Sequence, residues 1–130
     1  MSENFKKVKA FLQELEYTIL QENSDEELFV VEKDDAGITN LIIDCEDPIV
    51  IIEGVLFDVK TKTTELFESL LKKNREIIHG AFVLDETGTK VFFRDTLQLE
   101  NLDLNELEAS LNSLELLLSE YATEIIEFSK

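Results

Sequence analysis

Three short runs of aliphatic, β-branched and aromatic residues follow one another closely in the first half of the chain. They cover residues 28–31, 38–45 and 49–57. The segments between them are Asp-Asp-Ala-Gly at 34–37 and Glu-Asp-Pro at 46–48, and these residue types favour tight turns. Because parallel strands need a crossover of about a dozen residues, connections this short predict an antiparallel meander.

The second and third runs differ in the pattern of their side chains. In the second run, Asn40 and Asp44 lie on one face, and the other face carries Thr39, Leu41, Ile43 and Cys45. This alternation is typical of a sheet with one exposed face. The third run is apolar on both faces, which predicts a strand in the middle of the sheet.

Two helices flank this meander. The first has apolar residues at spacings of three and four from Phe5 to Ile19, and we expect it to end near Glu16 or Tyr17. The second should begin after a group of threonines and end at Gly80. Its apolar face is wide and consists of Leu66, Phe67, Leu70, Leu71, Ile77 and Ile78.

A hairpin and a long helix complete the predicted order of elements. Residues 81–84 and 91–93 read as two strands, joined by a loop in which Gly88 suits a left-handed position. The last helix, from 104 to 128, begins at Asp103 with Glu106 in a capping-box relation. Its apolar stripe either covers the domain's own sheet or partly meets a second subunit. The sequence therefore predicts an α+β fold, α-βββ-α-ββ-α, as a single domain over residues 1–130.

The chain is strongly acidic but has the apolar content of a folded protein. It holds 29 Asp and Glu against 12 Lys and Arg, for a formal charge of -17, and 44% of its residues are hydrophobic. Nucleic-acid binding relies on a basic surface that neutralises phosphates, and this chain is strongly negative, so we expect no nucleic-acid binding. The longest apolar stretch, 49–52, is too short to cross a membrane. With a single cysteine and no secretory pattern, the expected location is the cytoplasm.

The sequence offers little for catalysis. His79 and Cys45 are the only residues of their kinds, and we interpret them as a helix-end residue and a small hydrophobic core residue. The clustered carboxylates lack the spacing of a calcium loop and read as solvated turns. We therefore expect a protein that is not an enzyme and that uses no metal or cofactor.

An amide on the apolar stripe of the second helix points to an interface. Asn74 either binds a strand backbone or fixes the register of a helix pairing across a dimer. The predicted partner or dimer interface contains Phe67, Leu70, Leu71, Asn74, Ile78 and Phe82.

Several segments carry a resemblance to a known family. They are Leu-Leu-Lys-Lys-Asn at 70–74, Gly-Ala-Phe-Val-Leu-Asp at 80–85, Val-Phe-Phe-Arg-Asp at 91–95 and the long last helix. The chain resembles the class I chaperones of bacterial type III secretion and, more closely, YbjN-like and Tir-chaperone-like proteins. That resemblance implies a homodimer without cofactor that binds a protein client or acts as a bacterial regulatory module. The charge of -17 leaves an alternative, an acidic decoy that binds a basic nucleic-acid-binding protein.

Overall fold

A six-stranded antiparallel sheet forms the centre of the protein. The computed structural model describes residues 2–130. The strands lie side by side in the order β1-β2-β3-β4-β6-β5, so only the last two depart from the chain order. Their bounds are β1 Thr18–Asn23, β2 Leu28–Lys33, β3 Ile38–Glu46, β4 Ile49–Asp58, β5 Ala81–Leu84 and β6 Lys90–Gln98, and the helices are α1 Glu3–Glu14, α2 Thr64–Lys73, α3 Leu104–Glu120 and α4 Ala122–Phe128.

One face of the sheet holds the core. Alternate strand residues are fully buried there, and the residues between them are not. Helix α1 packs on this face near the β1 edge, where the rings of Phe5 and Phe29 stack with centroids 4.3 Å apart. Helix α3 packs over β6, and its buried Ser110 hydroxyl donates to the Asp95 carboxylate at 2.7 Å. The predicted α+β class and the packing of helices on an antiparallel sheet are confirmed.

The start of α3 is also confirmed. The Asp103 carboxylate accepts the Glu106 backbone N–H at 2.8 Å, and the Glu106 side chain accepts the Asp103 N–H at 3.2 Å. The single helix expected up to residue 128 is wrong, because the backbone leaves helical geometry at Tyr121 with φ -109° and ψ 16°. Residues Ala122–Phe128 form the separate helix α4, which places Phe128 against Phe57 at 5.9 Å between ring centroids.

The predicted element order lacked one strand. Helix α1 ends at Glu14, because Glu16 adopts a left-handed φ of 65° and the Tyr17 N–H bonds back to the Leu12 carbonyl. The chain then turns into β1, which pairs with β2 along the edge of the sheet. Ile19, expected on the helix stripe, therefore lies on a strand opposite Val31.

The second helix is shorter than expected. It ends at Lys73 with Asn74 as its cap, so Ile77, Ile78 and His79 belong to the connection to β5 rather than to a helix. Gly80 does not close the helix. It has φ 82° at the entrance to β5, and a Cβ there would lie 2.5 Å from the Phe93 ring.

Asn74 closes part of the outer edge of the sheet. Its amide oxygen accepts the Phe82 backbone N–H at 2.8 Å, and its amide nitrogen donates to the Phe82 carbonyl at 3.2 Å. Strand β5 is an edge strand, and open edges invite pairing with other chains. Of the two roles considered for Asn74, the structure shows the bond to a strand backbone.

Replacing Gly80 should destabilise the protein by two additive causes. Gly80→Ala combines the cost of a left-handed backbone with overlap against Phe93, and we expect the free energy of unfolding to fall by about 2–5 kcal/mol. The control is Gly37→Ala, at a similar φ of 74° with open space around the added methyl group, for which about 1 kcal/mol is expected. Urea unfolding measures both. Equal losses would contradict the close approach to Phe93.

Removing the Asn74 amide should leave the Phe82 peptide groups unpaired. We expect Asn74→Ala to lower the free energy of unfolding by about 1–3 kcal/mol and to raise aggregation during refolding. Asn105→Ala, at an exposed position in α3, should change stability by less than about 0.5 kcal/mol. Urea titration and light scattering test both expectations, and indistinguishable variants would show that the edge needs no cap.

Candidate functional site

An apolar groove lies between α3 and the connection from α2 to β5. Its volume is about 230 Å³. One wall is the connecting segment and the other is the surface of α3 up to the break before α4. The lining residues are Glu76, Ile77, Ile78, His79, Ala109, Asn112, Ser113, Leu116, Leu117, Glu120 and Tyr121.

Ser113 fixes the connecting segment against α3. Its hydroxyl donates to the His79 carbonyl at 2.6 Å and lies 3.4 Å from the His79 backbone nitrogen, which donates to it. At the other end of the segment, Asn74 is bonded to Phe82. The connection is therefore held at both ends, and the groove is a preformed feature of the fold.

Large aliphatic side chains are exposed at the groove. Ile78 is 83% exposed and Leu116 is 57% exposed. Leu117 and Ile77 form the floor, since the first is buried and the second packs partly against the core. Exposed aliphatic residues beside a groove are typical of surfaces that bind other proteins.

The six predicted interface residues have different environments. Leu70 and Phe82 are buried within the chain, and Phe67 is half-buried. Leu71, 70% exposed, and Ile78 are the two that offer large apolar surface to a partner. The side-chain amide of Asn74 is already hydrogen-bonded to the backbone of Phe82 in β5.

Acidic residues surround the groove. Burial, and then the charges of Glu120, Glu76 and Glu124, raise the pKa of the Tyr121 hydroxyl above its usual value. The Lys73 ammonium lies 5.3 Å from the centre of the Tyr121 ring, so it meets the aromatic face there. Lys72 pairs with Glu68 of its own helix at 2.8 Å.

Neither Cys45 nor His79 has the surroundings of a catalytic residue. Burial, followed by the charges of Glu27, Asp44 and Glu46, raises the pKa of the Cys45 thiol to about 12, which holds it in the unreactive thiol form. His79 is an exposed residue, and its hydrogen bonds to Ser113 involve only its backbone. Within residues 2–130, no cluster of three or more His, Cys, Asp or Glu side chains is arranged to hold a metal ion. Over the same residues, none of the helices has the length and apolar character that a membrane span requires.

The α3 side of the groove was not predicted from the sequence. Neither Leu116 nor Ser113 is among the interface residues predicted from the sequence. A signal was present in the sequence, because Leu116 and Leu117 widen the apolar stripe of α3. In the structure Leu117 is buried and Leu116 is exposed.

Solved structures share this fold. YbjN from E. coli, described as a candidate transcription regulator, matches with a TM-score of 0.70 and 11% identity over 92% of each chain. A chain of the HopA1–SchA chaperone–effector complex matches with a TM-score of 0.61 and 15% identity, covering 88% of this chain and 91% of that one. A chain of the complex between the Yersinia pestis secretion chaperone SycH and a fragment of YscM2 gives 0.58 and 14%, covering 97% and 99%. At these identities the likeness concerns the fold.

The sequence itself decides the family. No curated protein matches the chain. The CesT_Tir_1 family model matches residues 1–130, the whole chain. The resemblance to Tir-chaperone-like and YbjN-like proteins is confirmed, and the chain belongs to the CesT_Tir_1 family.

Proposed function

We propose that this protein is a bacterial, cytoplasmic, chaperone-like module that binds another protein and acts as a homodimer. The observation that carries the proposal is the preformed apolar groove with Ile78 exposed on its wall. Membership of the CesT_Tir_1 family and the likeness to chains from chaperone–effector complexes support it. In this proposal residues 1–130 work as one domain, without catalysis, cofactor, nucleic acid or membrane.

The proposed dimer surface consists of the groove, with Ile78, together with the α2 surface at Leu71 and Phe67; Leu70 and Phe82 of the predicted interface are buried behind it. A two-fold interface brings the same patch of both subunits together. An Ile78 side chain from one subunit would then leave water on contact with the other, and burying an isoleucine contributes about 1.5–3 kcal/mol. The fixed connecting segment favours this, because little ordering is needed on binding.

Mutation of exposed apolar residues should separate dimerisation from folding. Wild-type protein should scatter light as about twice 14.9 kDa, whereas Ile78→Lys and Leu71→Lys should weaken the dimer at least about 10-fold. Their unfolding free energies should change by less than about 0.5 kcal/mol at low concentration. Leu20→Lys, on β1 at the opposite edge of the sheet, is the control. A wild-type monomer across micromolar concentrations would overturn the dimer.

The charge of -17 supports a second candidate, an acidic decoy for a basic nucleic-acid-binding protein. Affinity capture from bacterial cytoplasm, read by mass spectrometry, distinguishes the two. Clients retained at about 0.5 M salt, where charge interactions are screened within a few Å, support the chaperone-like function. Capture that is lost at this salt and consists of basic nucleic-acid-binding proteins supports the decoy.

A further inference from the structure

The face of the sheet opposite the helices carries a second apolar surface. The strand residues that alternate with the core residues point to this side, and none of them is fully buried. Val55 is 58% exposed and Ile42 is 37% exposed. Together with their cross-strand neighbours they form what we call the open-face patch: Leu28, Val30, Ile42, Ile51, Val55, Val83 and Phe92.

The open-face patch has unbalanced negative charge within it. Asp44 lies between Leu28 and Ile51 in the strand register and is half-buried, and its Oδ1 atom is buried without a hydrogen-bond partner among residues 2–130. Glu46 lies two residues further along the same strand, on the same side. Glu53 is also on this face, but it is paired with Arg94 at 2.9 Å.

Asp44 lies among other negatively charged side chains. Desolvation, followed by the charge of Glu46, a side-chain hydrogen bond shared with Glu46 and the charges of Glu26 and Glu53, raises the pKa of Asp44 to about 6. These acids come from β3 itself, from the turn before β2 and from β4, and the arginine on β6 is already engaged by Glu53. A lysine or arginine from another molecule, placed beside Asp44 and Glu46, would relieve this repulsion.

A second copy of the chain does not fit this patch. A two-fold interface here would enclose the charges of Asp44 and Glu46 twice, while Arg94 of each copy is already paired with Glu53, and excess like charge in a desolvated interface is costly. The patch crosses five strands from β2 to β5, about 19 Å at the usual spacing of 4.8 Å. A helix of about 13 residues has this length.

We propose that the open-face patch binds an amphipathic helix of another protein, with its apolar residues on Ile42, Ile51 and Val55 and a lysine or arginine between Asp44 and Glu46. The inference rests on the proposed protein-binding function and names the class of segment bound. The site differs from the α3 groove, which leaves that groove for the dimer.

Two synthetic helical peptides of 16 residues test the proposal. Both have the same leucine face, and one has lysines at its border where the other has glutamates. Fluorescence anisotropy at 0.15 M salt should show binding of the lysine peptide only. Asp44→Asn should weaken that binding about 5-fold. Glu108→Gln removes the same charge from an exposed position on α3, and should change the affinity by less than about 1.5-fold, because charges beyond about 8 Å are largely screened.

The pH provides a second readout on the same proteins. Asp44 is mostly ionised at pH 7 and mostly protonated at pH 5, so wild-type affinity for the lysine peptide should fall over this range. The fall should be several-fold smaller in Asp44→Asn, in which this position stays neutral. An equal fall in both proteins would contradict a contact to Asp44.

Cross-linking locates the peptide. Val55→Cys carrying a benzophenone should cross-link to the lysine peptide, and Glu108→Cys carrying the same label should not. Native Cys45 is buried and stays unlabelled. Failure of the lysine peptide to bind, equal effects of the two charge variants or equal cross-linking from both positions would overturn the inference. If client capture and dimerisation persist in that case, the proposed function stands and only this inference fails.

Discussion

The structure depends on burying one face of a six-stranded sheet beneath helices. Alternate residues of the central strands point into this layer, and α1 and α3 cover it with their own apolar stripes. Burying each large aliphatic or aromatic side chain contributes about 1.5–3 kcal/mol, which makes this layer the main source of stability. A two-layer arrangement leaves the second sheet face and the outer side of α3 without a cover from the same chain. Both candidate binding surfaces follow from that arrangement.

Elements with local signals could be predicted from the sequence. The meander followed from short turns and alternating side chains, and the start of α3 followed from Asp103 and Glu106. Other boundaries depend on backbone conformations that the sequence does not mark. Glu16 ends α1 in a left-handed conformation usually taken by glycine, and β1, which follows it, was not predicted as a strand. The apolar spacing of the sequence continues through Tyr121, so it does not indicate that the helix breaks at this residue.

The candidate site was predicted only in part for a related reason. Periodicity identifies which side chains share a face, but not which other element covers them. Leu70 and Leu71 are adjacent apolar residues on α2, yet the first is buried and the second is open to water. Asn74 was identified as unusual because an amide on an apolar stripe needs partners, and its hydrogen bonds to Phe82 became visible only in three dimensions.

The double anchoring of the segment between α2 and β5 has a consequence for binding kinetics. A loop that must find its bound shape slows association, whereas a segment already held by Asn74 and Ser113 presents Ile78 in one orientation. In the proposed dimer, encounters between subunits would then be limited by the alignment of two rigid surfaces. Differences in affinity among natural variants of this segment would therefore arise in how long the contact lasts, with little effect on how fast it forms.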